Sequence, residues 1–332
     1  MRSRRIGPFN VSAVGFGCMS LSHAYRPRPD TQAAAAILRR ALELGHTLLD
    51  TAALYGGGAN EALIGEVLAG RRDAYVLASK GGMSLQDGKR VIDGRPQVIR
   101  ANCDESLSRL KTEVIDLYYL HRWDRRVPIE ETVGAMAELV AAGKVRALGL
   151  SEVSAATLRR AHATHPIAAV QSEYSLWTRN PEVAVLQACR ELGTAFVAFS
   201  PLARGFLADR IRDMGEFAAD DIRHAMPRFQ GAALAANQRL LPGFRTAAAD
   251  AGCTPAQLAL AWVLAQGDHI VPIPGTGRLD HLEENAQADG VRLDDAMLNR
   301  LDMLINPKTV EGPRYNAATQ ADIDTEELPA WA

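Results

Sequence analysis

The 332-residue sequence lacks an excess of either charge: 37 Lys+Arg stand against 39 Asp+Glu, a formal net charge of -2. A duplex binder usually gathers a basic surplus on one face, so nucleic acid is excluded as a partner. Arg71-Arg72 and Arg125-Arg126 are isolated pairs of a solvated surface. Cysteine is scarce. The four residues Cys18, Cys103, Cys189 and Cys253 form no CxxC pair, and no histidine lies at metal-ligand spacing. This excludes a zinc site and a disulfide framework, and it points to free thiols in a reducing compartment. No window approaches the ~20 continuous apolar residues of a membrane helix. The first residues, Met1-Arg-Ser-Arg-Arg-Ile, carry no apolar stretch of a secretory leader. A cytoplasmic protein without a membrane partner is expected. No composition shift or Pro/Ser-rich linker breaks the chain. One domain over 1–332 follows, with a core at about 6–305 and a tail at 306–332.

What is present is a beat. Apolar, β-rich runs at residues 11–17, 46–51, 75–79, 115–121, 145–151, 167–172, 195–200 and 270–274 read as strands. Between and after them, segments 31–44, 60–69, 96–110, 129–142, 155–165, 181–192, 237–251, 255–265 and 279–288 have helical period, and 294–304 adds a helix. A long irregular stretch fills 203–235. Eight strand–helix beats mean parallel βαβ units, in a closed barrel or an open doubly wound sheet. The open dinucleotide-binding sheet needs G-x-G-x-x-G after its first strand, and Gly15-Phe16-Gly17-Cys18-Met19-Ser20 lacks the third glycine. The expected fold is α/β: a single (β/α)8 TIM barrel with an extra C-terminal helix. The tail after Asn306 carries Tyr315 and Trp331. Two readings of it stand open, a disordered end and a segment near the active face.

Catalytic groups of such a barrel come from the C-terminal ends of its strands. Strand two ends at Asp50-Thr51, with Tyr55 shortly after; strand three ends at Lys80, strand four at His121, strand five at Ser151-Glu152 and strand six at Gln171-Ser172. A tyrosine is a poor acid at neutral pH, with a reference pKa of ~10. A neighbouring lysine favours the phenolate, a carboxylate holds the lysine, and a histidine orients a substrate oxygen. Together they form a unit for protonating a carbonyl oxygen. None of them donates hydride, so a nicotinamide cofactor is implied. Metal-assisted hydrolysis is excluded, because no His-x-His or paired carboxylate lies at a strand end.

Asp50-Thr51-Ala52-Ala53-Leu54-Tyr55-Gly56, then Lys80 after Val76-Leu77-Ala78-Ser79, then His121 after Leu117-Tyr-Tyr-Leu, resemble the catalytic tetrad of the aldo-keto reductases. The resemblance runs from Gly15-Phe16-Gly17 to Glu283-Glu284-Asn285, and Gly17-Cys18-Met19 and Leu150-Ser151-Glu152 look like the microbial and plant branch of NADPH-dependent aldehyde and ketone reductases. It implies Tyr55 as general acid, Lys80 lowering its pKa, Asp50 salt-bridging Lys80, and His121 aligning the carbonyl. It further implies cofactor contacts. Ser151 and Gln171 would hold the nicotinamide carboxamide, with Gly17, Cys18, Met19 and Asp50 nearby. Phe199 stands where the family stacks a tyrosine. Ser200, Pro201, Leu202, Arg204 and Gly205 would run beside the pyrophosphate. Ile273, Pro274, Gly275, Thr276, Arg278, Glu284 and Asn285 would surround the adenosine end, with Arg278 gripping the 2′-phosphate. Glu152 replaces the usual asparagine, and a carboxylate cannot donate to the carboxamide oxygen.

The function expected is therefore NADPH-dependent reduction of a small-molecule aldehyde or ketone, by a monomer or weak homo-oligomer. The alternative is a cofactor-binding, redox-sensing regulatory subunit of a membrane protein. No long N-terminal extension precedes the barrel, and that weighs for the enzyme. Substrate specificity is expected in residues 22–30, 83–95 and 203–235, with Trp123 and Trp177 forming an apolar substrate pocket.

Overall fold

The computed structural model describes residues 1–328. The chain opens with an antiparallel hairpin, β1 (Ser3–Ile6) and β2 (Phe9–Ser12), before the first barrel strand β3 (Phe16–Gly17). The single strand expected at 11–17 is thus two pieces. The hairpin plugs the barrel's N-terminal end: Ile6 and Val11 pack with Leu48, Ala147, Ala169 and Val271 in the barrel interior. Arg4 donates to the carbonyls of Gly267 (2.5 Å) and Leu264 (2.6 Å), tying the hairpin to the segment before the last strand.

Strand and helix then alternate: α1 (Thr31–Glu43), β4 (Leu48–Asp50), α2 (Ala59–Val67), β5 (Val76–Gly81). A second hairpin, β6 (Met83–Gln86) and β7 (Lys89–Ile92), is inserted next and was not expected. The series resumes with α3 (Pro96–Leu110), β8 (Ile115–Leu120), α4 (Ile129–Ala141), β9 (Val145–Ser151), α5 (Ala155–Thr164), β10 (Ile167–Glu173), α6 (Val185–Leu192) and β11 (Ala195–Phe199). After the long loop come α7 (Gly231–Gln238), α8 (Leu241–Asp250), α9 (Pro255–Ala265), β12 (Ile270–Pro272), α10 (Leu279–Gln287), α11 (Asp295–Leu304) and α12 (Ala317–Ala321). The helix expected at 237–251 divides because Pro242 starts α8 as a new helix. Helix starts elsewhere follow their caps: Asp30 accepts from Ala33 N–H, and Thr254 with Gln257 forms a capping box.

The eight barrel strands pair in parallel in the order β3-β4-β5-β8-β9-β10-β11-β12. Gly15 N–H donates to Pro272 O (2.9 Å) and Gly17 N–H to Pro274 O (3.2 Å), which brings the first and last strands together and closes the (β/α)8 barrel. Along each strand, side chains alternate between the interior and the helix layer. In β8, Leu117 and Tyr119 face inward while Tyr118 and Leu120 pack under the helices. Interior positions are apolar until the strand ends, where the same inward face becomes polar: Leu48 is followed by Asp50, Ala78 by Lys80, Tyr119 by His121 and Ala169 by Gln171. That register positions the site. Among the described residues, no helix is long and apolar enough to cross a membrane.

At the seam, a Cβ on Gly17 would lie 2.8 Å from the carbonyl oxygen of Ile273. Backbone cannot yield there without opening the barrel. Gly17→Ala is expected to destabilise the protein by about 1–3 kcal/mol, read as a lower midpoint of urea denaturation; an unchanged midpoint would show that the seam is slack.

Candidate active site

The C-terminal face of the barrel holds a cavity of about 580 Å³, within the ~300–1,000 Å³ of ligand pockets. At its deep end Lys80 is fully buried, with Nζ 2.5 Å from Asp50 Oδ1, 2.8 Å from Thr51 O and 3.3 Å from Tyr55 Oη. Gln171 donates to the second Asp50 oxygen at 2.7 Å. All three donors of the lysine therefore have acceptors, and both carboxylate oxygens are held. His121 meets the Tyr55 ring edge-on, with centroids 5.9 Å apart. Among the described residues, His121 Nδ1 is buried without a hydrogen-bond partner. The sequence brought Asp50, Tyr55, Lys80 and His121 to neighbouring strand ends, and the structure assembles them into one cluster.

The electrostatics differ from the expectation in one respect. Burial pushes the Tyr55 phenol above its ordinary value, and the nearby Lys80 ammonium only partly offsets this. The lysine moderates the acid and does not turn it into a phenolate. Burial works against the Lys80 ammonium, but Asp50 and Tyr55 outweigh it and the net direction is upward. Burial, with Arg122 and Lys80 nearby, drives His121 well below the usual imidazole range, so the ring is neutral at pH 7.

From this end the cavity runs across the barrel face. It is lined by Gly17, Met19, Ser151, Phe199, Ser200, Pro201 and Leu202, then Arg204 and Gly205, and finally Ile273, Pro274, Gly275, Thr276, Glu284 and Asn285. The turn after β11 carries left-handed backbone at Ser200, Ala203, Arg204 and Gly205. The long loop roofs the groove: Ile222 N–H donates to Ala24 O (3.3 Å), and Arg26 pairs with Asp220 (2.6 Å).

Cys18, Glu152, Arg278, Trp123 and Trp177 do not face the cavity, contrary to expectation. Cys18 is fully buried with Sγ 3.8 Å from Phe16 O, and burial raises its thiol pKa. Trp177 stacks on Phe206 (4.2 Å between centroids) and meets Phe229 edge-on, so it anchors the long loop in the core. Trp123 donates to Val127 O (2.9 Å) beneath the Arg160 guanidinium. Arg278 is exposed and paired with Asp280 two residues on (2.7 Å). The guanidinium that does line this end is Arg210, 3.4 Å from Glu284.

Glu152 instead joins a buried ionic network that sequence reasoning missed. Arg314, in the tail, donates to Glu152 Oε1 (2.7 Å) and Glu173 Oε2 (3.0 Å), and Arg204 reaches the same Glu173 oxygen (2.7 Å). Tyr315 Oη sits 3.0 Å from Arg204 Nη2 and 3.2 Å from Glu173. Further along, Asp324 accepts from Ser154 N–H (3.2 Å) and Thr157 Oγ1 (2.7 Å), and Glu326 from Ala155 N–H (2.7 Å). Two carboxylates thus sit on the N-terminus of α5, where helix N–H groups lack partners. The tail is docked, and Tyr315, Asn316 and Thr319 line the cavity. Trp331 lies outside the described residues.

A family model for the aldo/keto reductase family matches residues 13–306, and the chain belongs to that family. Similar solved structures include an aldo-keto reductase from Bacillus halodurans in its holo form, at 30% identity over 96% of this chain and 99% of that one, TM-score 0.79. The glycerol dehydrogenase of Gluconobacter oxydans matches at 27% over 94% and 97%, TM-score 0.85. An aldo-keto reductase from Klebsiella pneumoniae in complex with NADPH matches at 29% over 95% and 98%, TM-score 0.72. The chain is an oxidoreductase of the family's nicotinamide-using kind.

The ionic network carries a pH signature. Burial alone would raise the Glu173 carboxyl, but Arg204 and Arg314 pull it down to about 2, below its ordinary 4.5. A folded pKa below the unfolded one adds stability above the unfolded value, and that stability is lost as pH falls from about 5 toward 2. Glu173→Gln, which leaves two buried guanidinium groups short of charge, should lose about 3–5 kcal/mol at pH 7. Its deficit against wild type should shrink as urea denaturation is repeated toward pH 3. A deficit constant across that range would mean that Glu173 is not held as a carboxylate by this network.

Proposed function

We propose that this protein reduces aldehydes or ketones to alcohols with NADPH, and that Tyr55 delivers the proton. The observation that carries the reading is Lys80 Nζ, held 2.5 Å from Asp50 and 3.3 Å from Tyr55 Oη at the closed end of the cavity. The cofactor, when bound, supplies hydride to the carbonyl carbon. As the carbon–oxygen π pair moves onto oxygen, Tyr55 Oη releases its proton to that oxygen. Lys80 then stabilises the phenolate until solvent reprotonates it. His121, neutral and buried, hydrogen-bonds the carbonyl and aligns it against Tyr55. A phenol kept protonated by burial is the form a proton donor requires.

The cavity fits a dinucleotide by its donor set. Ser151 and Gln171 offer polar groups at the nicotinamide end, and Phe199 offers a ring face. Thr276, Glu284 and Asn285 offer hydroxyl, carboxylate and amide at the far end, with the Arg210 guanidinium beside them. NADPH recognition is assigned to Arg210 in place of Arg278, because a 2′-phosphate is best held by a guanidinium facing it. One domain over 1–332 carries the whole site.

Tyr55→Phe keeps the ring and removes the proton, so kcat should fall about 10²–10⁴-fold with NADPH affinity nearly unchanged. A variant retaining a third of wild-type kcat would remove Tyr55 from the role. For the cofactor, Arg210→Ala should weaken NADPH binding about ten- to a hundred-fold while sparing NADH, titrated by fluorescence quenching. Equal losses for the two cofactors would contradict the assignment.

A further inference from the structure

The substrate end of the cavity is more cationic than a site for neutral carbonyls requires. Arg122, next to His121 in the chain, lines the cavity. One of its nitrogens donates to His121 O (2.6 Å) and Ser151 Oγ (3.0 Å), which fixes the guanidinium beside the candidate proton donors. Among the described residues no carboxylate lies within salt-bridge distance of it, and its remaining N–H groups have no hydrogen-bond acceptor. The acidic groups nearby are already engaged. Asp50 is held by Lys80 and Gln171, Asp124 by Arg126, and Asp322 at the rim by Arg90 (3.3 Å). Arg90 itself lines the cavity, and His23 stacks on the Tyr55 ring with centroids 5.8 Å apart. A partly buried guanidinium without a counter-charge, facing a cavity, is a site awaiting an anion.

We propose that Arg122 selects carbonyl substrates that carry a carboxylate, holding that group while Tyr55 and His121 engage the carbonyl oxygen. The inference rests on the carbonyl-reductase reading above and narrows its substrate class. It also replaces the expectation of an apolar pocket built from Trp123 and Trp177, neither of which reaches the cavity.

The test compares 4-oxobutanoate with its methyl ester, which presents the same aldehyde without the charge. The readout is the ratio of kcat/KM for acid over ester in wild type, Arg122→Gln and Arg122→Lys. A charge-assisted bond corresponds to about a ten- to hundred-fold preference. The wild-type ratio should lie in that range, fall toward one in Arg122→Gln, and be partly restored in Arg122→Lys. Binding is read separately by calorimetry, as the Kd of the product 4-hydroxybutanoate for protein saturated with NADP⁺, and should weaken by a similar factor in Arg122→Gln. A wild-type ratio at or below one overturns the proposal, whether or not the variants fold. So does an Arg122→Gln variant that keeps the wild-type ratio, or one that loses acid, ester and NADPH affinity together, which would make Arg122 a cofactor group acting through Ser151. If neither aldehyde is reduced, the carbonyl-reductase reading fails. The calorimetric Kd then decides Arg122 alone: weaker binding in Arg122→Gln upholds the anion site, and equal binding removes it.

Discussion

The buried ion pair between Lys80 and Asp50 is the constraint around which the barrel's active face is arranged. Both groups are almost wholly removed from water. Such a pair persists only if geometry and extra hydrogen bonds repay the lost hydration, and breaking it by removing one partner typically costs about 3–5 kcal/mol. The fold meets that demand with Gln171 on the free Asp50 oxygen, and with Thr51 O and Tyr55 Oη on the lysine. The contributors come from β4, the turn after it, β5 and β10. The ion pair therefore links opposite parts of the barrel, and it places a phenol where burial keeps its proton and an ammonium can receive its charge.

The second level of organisation is the docked tail. Arg314 supplies the one ion-pair partner of Glu152 among the described residues and joins Arg204 on Glu173, and Asp324 and Glu326 fasten the next residues to α5. Glu152 and Glu173 follow directly on the polar strand-end layer of β9 and β10. The tail is thereby coupled to the wall that carries Ser151 and Gln171, and Tyr315 is brought to the cavity by the same contacts.

Much of this was legible in the sequence, for physical reasons. Proline at the start of α3 and α9 and the Asp30 cap mark helix ends, and inward alternation along each strand shows where apolar residues give way to Asp50, Lys80, His121 and Gln171. What was hidden depends on contacts distant in sequence or on direction. An apolar run through residues 11–17 does not show that the chain leaves the N-terminal hairpin before entering the barrel. The Arg314–Glu152 pair spans 162 positions, beyond any local pattern. Trp123 and Trp177 announce buried area but not which side of the wall they occupy. Arg278 is spent on Asp280 two residues away, while Arg210 reaches the cavity from a loop whose path no periodicity fixes. Arg122 has a local signal, a charge directly after a strand-end histidine.

If Tyr55, His121 and the cavity wall hold the carbonyl in the proposed geometry, hydride reaches it from one face of the nicotinamide only. This is tested most directly with NADPH deuterated at nicotinamide C4, prepared as each of the two epimers and used to reduce an aldehyde, with the alcohol analysed by mass spectrometry. The account predicts full deuterium transfer to the former carbonyl carbon from one epimer and none from the other. Label delivered equally from both epimers, or lost to water, would contradict it.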